Sequence, residues 1–186
     1  MIRRVHIDPA TGLLRDVRQV LSPFQDERPS GSTPELIIVH GISLPPGEYG
    51  GPWIDRLFTG TLPRDAHPYF RQIPPGPVSA HALIGRDGAP TQYVPFGRRA
   101  WHAGRSEYRG RAACNDFSIG IELEGSDAAP YADAQYATLT ELILALLRVY
   151  PTLAREHIVG HSDVAPGRKT DPGPGFDWAR LRAGLA

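Results

Sequence analysis

The sequence predicts a single α/β domain in which helices flank a central mixed β-sheet, and three observations carry that expectation. Short apolar, β-branched runs recur at 35–39, 117–123 and 157–159. One amphipathic stretch repeats at helical spacing between 133 and 150. A turn signal, Arg86-Asp87-Gly88, joins two strand-like runs into a hairpin. Strands interleaved with helices, with a hairpin included, belong to an α/β domain on a mixed sheet. A length of 186 residues suits one domain with a full core.

Taken in order, residues 1-30 are polar and proline-containing and read as an N-terminal extension packed on a domain spanning 31-186. Glu35-Leu-Ile-Ile-Val39 is a buried strand ending at His40. Residues 42–63 form a long loop with one short helix near Trp53 to Phe58, and loops of that length are usually functional. Pro45, Pro46 and Pro52 restrict it. Trp53 and Phe58 give it apolar surface, so it is expected to narrow whatever site His40 helps to form into a pocket.

Ser79–Ile84 and Thr91–Pro95 are the hairpin strands. In the strand Phe117–Leu123, Ile119, Ile121 and Leu123 share one face, and Gly120, Glu122 and Glu124 share the other. Tyr136, Leu139, Ile143, Leu146 or Leu147, and Tyr150 mark a helix from Asp133 that stops before Pro151. His157-Ile-Val159 leads into Gly160-His161. The stretch HSDVAPGRKTDPGPGFDW is too rich in Pro and Gly to be helical, and Asp177 caps a last helix, WARLRAGL.

Composition excludes several classes. With 20 basic and 20 acidic residues the formal charge is zero, which gives no attraction to nucleic acid or an anionic membrane. The lone cysteine, Cys114, excludes an internal disulfide and a paired-cysteine metal site. The first twenty residues lack the apolar run of a signal peptide, and the longest apolar stretch, Leu142 to Leu147, is too short to span a bilayer. A reducing, cytoplasmic location is the expectation.

Seven histidines are present. His40 and His161 each sit where an apolar strand opens into a loop, a place where rigid sites are built. A single histidine is more often a hydrogen-bonded structural residue, and His6, His67, His81, His102 and His157 carry no signal beyond that. The cluster His161, Asp163, Lys169 and Asp171 is different. Asp163 and Asp171 could stabilise turns, yet imidazole and carboxylate on one rigid loop are also what a catalytic zinc site needs.

Of the 20 basic residues, 19 are Arg and only position 169 is Lys. Either chance or the need for a compact point donor puts it there. Glu122 could take a proton from an attacking water and pass it to a leaving group. Equally, Glu122 and Glu124 could be solvated charges on a sheet edge.

The blocks VHGISLPPGEYGGPWIDRLFTGTL, SAHALIGRDG, QYVPF, RAWHAG, CNDFSIGIELEG, YADAQY and GHSDVAPGRKTDPGPGFDW follow in order within Ser22 to Trp178. They resemble the cytosolic 1,6-anhydro-N-acetylmuramyl-L-alanine amidases of peptidoglycan recycling, a branch of the zinc-dependent N-acetylmuramoyl-L-alanine amidases. The resemblance implies a mixed five- or six-stranded sheet flanked by helices, shared with phage lysozyme-type amidases and peptidoglycan recognition proteins. It makes 31-186 a zinc amidase catalytic domain with one Zn2+ per chain, held by His40, His161 and Asp171. The family's catalytic acidic residue falls on Glu122 and its catalytic lysine on Lys169. The implied substrate is a small anhydromuropeptide, acted on by a monomer.

There is one departure. Gly41 stands where the family commonly has Asn after the first ligand, so no amide is offered there to a substrate. Two other readings share parts of this pattern: an autolysin or phage-type amidase acting on polymeric wall, and a non-catalytic peptidoglycan-binding module. The first should carry a secretion signal or wall-binding module. The second typically lacks a ligand that is present here.

Overall fold

Six strands form the central sheet: β1 (Arg18–Gln19), β2 (Leu36–Ile42), β3 (Ala82–Ile84), β4 (Pro90–Gln92), β5 (Ser118–Glu124) and β6 (Ile158–Gly160). Their spatial order is β6-β2-β5-β3-β4-β1. The computed structural model describes residues 5–186. β2 is parallel to β6 and β5, β5 to β3, and β1 to β4, whereas β3 and β4 form the antiparallel hairpin foreseen from Arg86-Asp87-Gly88. The sheet is therefore mixed.

Ile37 and Val39 of β2 and Ile119, Ile121 and Leu123 of β5 turn one face toward α2 (Asp133–Val149), where Leu139, Leu142, Ile143 and Leu146 meet them in the main core. Such alternation is the period-2 signature of a strand with one face in the core. Here the other face is covered as well, and all seven residues of β5 are buried. β5 lies in the sheet interior, which excludes the reading of Glu122 and Glu124 as solvated edge charges.

Three local expectations change. β2 continues past Val39 because its pairing with β5 persists to Ile42 opposite Glu124, so His40 lies inside the strand rather than at its end. Residues 161–164 form a one-turn helix, α3 (His161–Val164; α1 spans Trp53–Phe58), in which the Asp163 carboxylate accepts the Gly160 amide at 2.7 Å. The helix breakers begin only at Pro166, which leaves room for that turn. Each hairpin strand keeps only three residues. The helix expected in the 42–63 loop is α1 (Trp53–Phe58), and α4 (Trp178–Gly184) is capped by Asp177, whose side chain accepts the Arg180 amide at 2.9 Å. No helix among the described residues is long and apolar enough to cross a membrane.

The N-terminal segment is woven into this frame. Ile7–Asp8 pairs with Leu13–Leu14 and sends Ile7 and Leu14 into the main core, β1 extends the sheet, and Gln25–Asp26 pairs with Arg99–Ala100. Arg28 then fastens it. Its guanidinium donates to the carbonyls of Phe96, Gly97, Asn115, Asp116 and Ser118. Burial lowers its pKa to about 10. Five carbonyls, two at 96–97 and three at the 115–118 entrance to β5, share this one side chain as donor. Arg28→Ala should lower unfolding free energy by about 1–3 kcal/mol, the scale for leaving buried acceptors without their donor. Urea unfolding of the metal-free protein measures this, and a shift below about 1 kcal/mol would disprove the keystone role.

Candidate metal centre

Three neighbouring parallel strands bring the site together at their carboxyl ends, where open α/β sheets commonly place ligands. The register sets Glu122 of β5 beside His40 of β2, and Gly160 of β6 beside Val39, so that His161 follows level with His40. Asp171 arrives on the loop after α3, anchored by its carbonyl, which accepts the Ser162 amide at 3.0 Å.

The donor atoms form a nearly equilateral triangle. His40 Nδ1 lies 3.0 Å from His161 Nδ1 and 3.2 Å from Asp171 Oδ2, and His161 Nδ1 lies 3.1 Å from the same oxygen. Ligands of a tetrahedral zinc with bonds near 2.0–2.1 Å stand about 3.3 Å apart, so the donor set and spacing fit such an ion. His40 and His161 are buried and Asp171 is partly exposed, which leaves one side of the triangle open. Burial holds the His40 imidazole down at about 4 and thus neutral. Burial alone would raise the Asp171 carboxyl, but the His161 and His40 rings against it outweigh that and keep it well below the usual carboxylate range. His40 and Asp171 are therefore in their ligating forms at neutral pH.

The remote ring nitrogens are tied down. His161 Nε2 faces the Ala103 carbonyl at 3.2 Å. His40 Nε2 faces His102 Nδ1 at 2.9 Å, and His102 Nε2 faces Ser118 Oγ at 3.2 Å. With Nδ1 of His40 turned to the cluster, its Nε2–H donates to His102, which donates onward to Ser118. Burial and the neighbouring histidines keep His102 well below its ordinary pKa, so its Nδ1 can accept. Asn115 fixes this turn by accepting the amides of His102 and Ala103. Gly120 makes room, since a Cβ there would overlap the His102 ring.

Glu122 is 8% exposed, and its Oε2 has no hydrogen-bond partner among the described residues. Burial, reinforced by Asp171 and opposed by Lys169, holds its carboxyl well above the usual range. Lys169 is exposed and lines the same cavity of about 720 Å³ as His40, Glu122, His161 and Asp171. All five residues singled out from the sequence thus meet at one cavity. Asp163 does not join them, because it caps α3. Glu124 binds the 42–63 loop instead, accepting the Gly50 amide at 2.5 Å.

Sequence reasoning missed two features and misplaced a third. His102 carries no signal of its own in the sequence, although it lies within the block RAWHAG. The wall Ile73–Val78 contributes to the cavity unannounced. Trp53, expected in the pocket, packs edge-on against Phe70 at 5.2 Å and does not line it, whereas Phe58, Leu44 and Pro46 do. Of the other histidines, His67 accepts the Tyr69 amide, and His81 bridges the Gly120 amide and the Arg98 carbonyl.

Residues 30–174 match the family described as N-acetylmuramoyl-L-alanine amidase. The chain belongs to that family. It is 60% identical over 174 residues to the 1,6-anhydro-N-acetylmuramyl-L-alanine amidase AmpD of Enterobacter cloacae, covering 94% of this chain and 92% of the relative. A crystal structure of a selenomethionine AmpD derivative superposes with a TM-score of 0.93 at 58% identity, covering 97% of this chain and 99% of that one. The amidase AmiD of E. coli, solved with anhydro-N-acetylmuramic acid-L-Ala-D-γ-Glu-L-Lys, superposes with a TM-score of 0.59 at 27% identity, over 97% of this chain and 65% of that one. The mixed sheet flanked by helices is thus the amidase fold that the sequence blocks implied.

If the His40–His102–Ser118 line orients a metal ligand, His102→Ala should weaken divalent-metal binding by roughly 10- to 100-fold, the usual effect of losing such a partner. Competition against a chelator of known affinity reads this, and unchanged affinity would remove His102 from the site.

Proposed function

We propose that the chain is a cytoplasmic zinc amidase that hydrolyses the bond between 1,6-anhydro-N-acetylmuramic acid and L-alanine in soluble muropeptides, supplying peptidoglycan recycling. The observation that carries the reading is the His40, His161, Asp171 triangle beside the unpartnered Glu122 carboxyl. The substrate named for its AmpD relatives and the anhydromuramyl peptide bound to AmiD support the chemical class. The single buried Cys114 suits a reducing compartment.

In this reading His40, His161 and Asp171 hold one zinc, the two imidazoles and one carboxylate leaving a position for water. When bound, the metal acidifies that water and polarises the scissile carbonyl. Glu122 accepts a proton from the attacking water and delivers it to the leaving alanine nitrogen. An unsolvated carboxylate with a raised pKa has the proton affinity for that exchange. Lys169, a compact ammonium at the cavity wall, steadies the oxygen that gains negative charge as the carbonyl becomes tetrahedral. A guanidinium fork would fit that point role poorly, which accounts for the one Lys in an Arg-rich chain.

The alternative of an amidase for polymeric wall shares this chemistry but needs a groove open on both sides of the cleaved bond. A cavity walled by Leu44, Pro46 and Phe58, and by Pro74, Pro75 and Pro77, favours enclosing one sugar end. A monomer suffices, since every proposed site residue comes from one chain.

Mass spectrometry of products decides between these readings. The purified protein should release free stem peptide from an anhydromuropeptide, lose that activity in excess chelator, recover it with zinc, and act far more slowly on intact sacculi. Equal rates on both substrates would refute the recycling assignment, and full activity in chelator would refute the zinc mechanism. Glu122→Ala should lower kcat by roughly 100- to 10,000-fold while zinc stays bound. Near-normal turnover would exclude Glu122 as the proton carrier.

A further inference from the structure

The arm that delivers Asp171 is held from a side the reaction does not use. Tyr131 lies in the main core just before α2, 5% exposed, on the face of the sheet opposite His40 and Glu122. Its ring is laid across the ends of β2 and β5. A Cβ on Gly125 would overlap the ring, and a Cβ on Gly41 would overlap the hydroxyl. From there the hydroxyl donates to the Pro172 carbonyl at 3.0 Å.

Pro172 also packs against the ends of both β2 and β6. Its Cα would lie 3.5 Å from a Cβ at Gly41, and its Cδ 2.9 Å from a Cβ at Gly160. The Asp171 carbonyl accepts the Ser162 amide. The two peptide oxygens on the C-terminal side of the Asp171 carboxylate are therefore each held by one donor, and the Tyr131 bond reaches its acceptor only because position 41 has no side chain. The absence of an amide at 41 is thus more than a lost substrate contact. It frees the space that the Tyr131 hydroxyl occupies.

We propose that Tyr131 is a positioning residue for the metal site. Its hydroxyl, seated over Gly41, fixes Pro172 and through it the direction of the Asp171 carboxylate. The inference rests on the zinc reading above. A loosened arm costs metal affinity, since the carboxylate must be ordered when the ion binds, and outer-shell partners of this kind typically tune affinity 10- to 100-fold.

The test is Tyr131→Phe, which keeps the ring and removes only the donor. Zinc affinity, measured by chelator competition, should fall roughly tenfold. In the zinc-free protein, hydrogen exchange at the Ser162 amide should accelerate while that at Ile38 in β2 stays constant. Gly41→Ala, which pushes the hydroxyl away, should weaken zinc to a similar degree. The double variant should be no weaker than either single one, because both break one contact. Unchanged affinity in Tyr131→Phe overturns the proposal. Faster exchange at Ser162 with unchanged affinity also overturns it, by reducing Tyr131 to a structural prop. Losses that add in the double variant overturn the link to Gly41. If Gly41→Ala does not fold, Tyr131→Phe alone decides. If the wild-type chain binds no zinc, the zinc reading falls separately, and the exchange at Ser162 still reports whether the tether exists.

Discussion

Three lone pairs pointing at one another are the constraint on which this structure turns. His40 Nδ1, His161 Nδ1 and Asp171 Oδ2 lie within 3.2 Å of each other, in a region where two of the three residues are buried. Electron-pair donors that close repel unless a proton or cation sits among them, and away from water the repulsion is poorly screened. Only a rigid frame can hold them there. Parallel pairing of β2 with β5 and β6 supplies it, because that register is fixed by core residues alternating along each strand and not by the site itself. A one-residue slip of β5 would move Glu122 to the core face and put Ile121 or Leu123 beside His40.

The frame explains why part of the site was legible in the sequence. Strand periodicity placed His40 and Glu122, the long helix over 133–149 followed from its apolar spacing, and one Lys among 19 Arg pointed at position 169. These signals are local, or survive as composition. What stayed hidden depends on close approach between distant segments. His102 reads as any structural histidine until Gly120 is seen to leave room for its ring against His40. The wall Ile73–Val78 reads as a proline-rich loop, and nothing in its composition tells which side of the sheet it covers. Trp53 carries the apolar surface expected of a pocket, but its neighbour Phe70 claims that surface for a second core cluster.

Charge and burial are distributed so that each polar group has a defined state. Remote imidazole nitrogens face the Ala103 carbonyl and His102, which fixes the tautomer that turns Nδ1 inward. Arg28 serves the same entrance to β5, donating its guanidinium to the carbonyls of Asn115, Asp116 and Ser118 where the strand begins. Among the described residues two buried side-chain oxygens lack a partner, Gln25 Oε1 and Glu122 Oε2, and only the second lies at the cavity. Buried polar atoms in native proteins are nearly always satisfied, so an orphan at a cavity containing three convergent donors is the candidate for handling a reactant's proton.

Glycine is what lets these demands coexist. Gly41 follows one histidine, Gly160 precedes the other, and between them Pro172 carries the Asp171 arm against both strands. A side chain at 160 would press on the Pro172 ring, and one at 41 would displace the Tyr131 hydroxyl that holds the Pro172 carbonyl. The third donor is thus placed by an absence of atoms as much as by hydrogen bonds. That accounts for how a loop residue, which ordinarily has more freedom than a strand residue, can match the precision of two donors built on the sheet. The same logic separates Glu122 from Glu124. Both project from β5 onto the same face, but the Gly50 amide reaches Glu124 and makes it a loop anchor, while no amide reaches Glu122 Oε2. Two identical side chains two residues apart acquire different roles solely from which backbone can approach them.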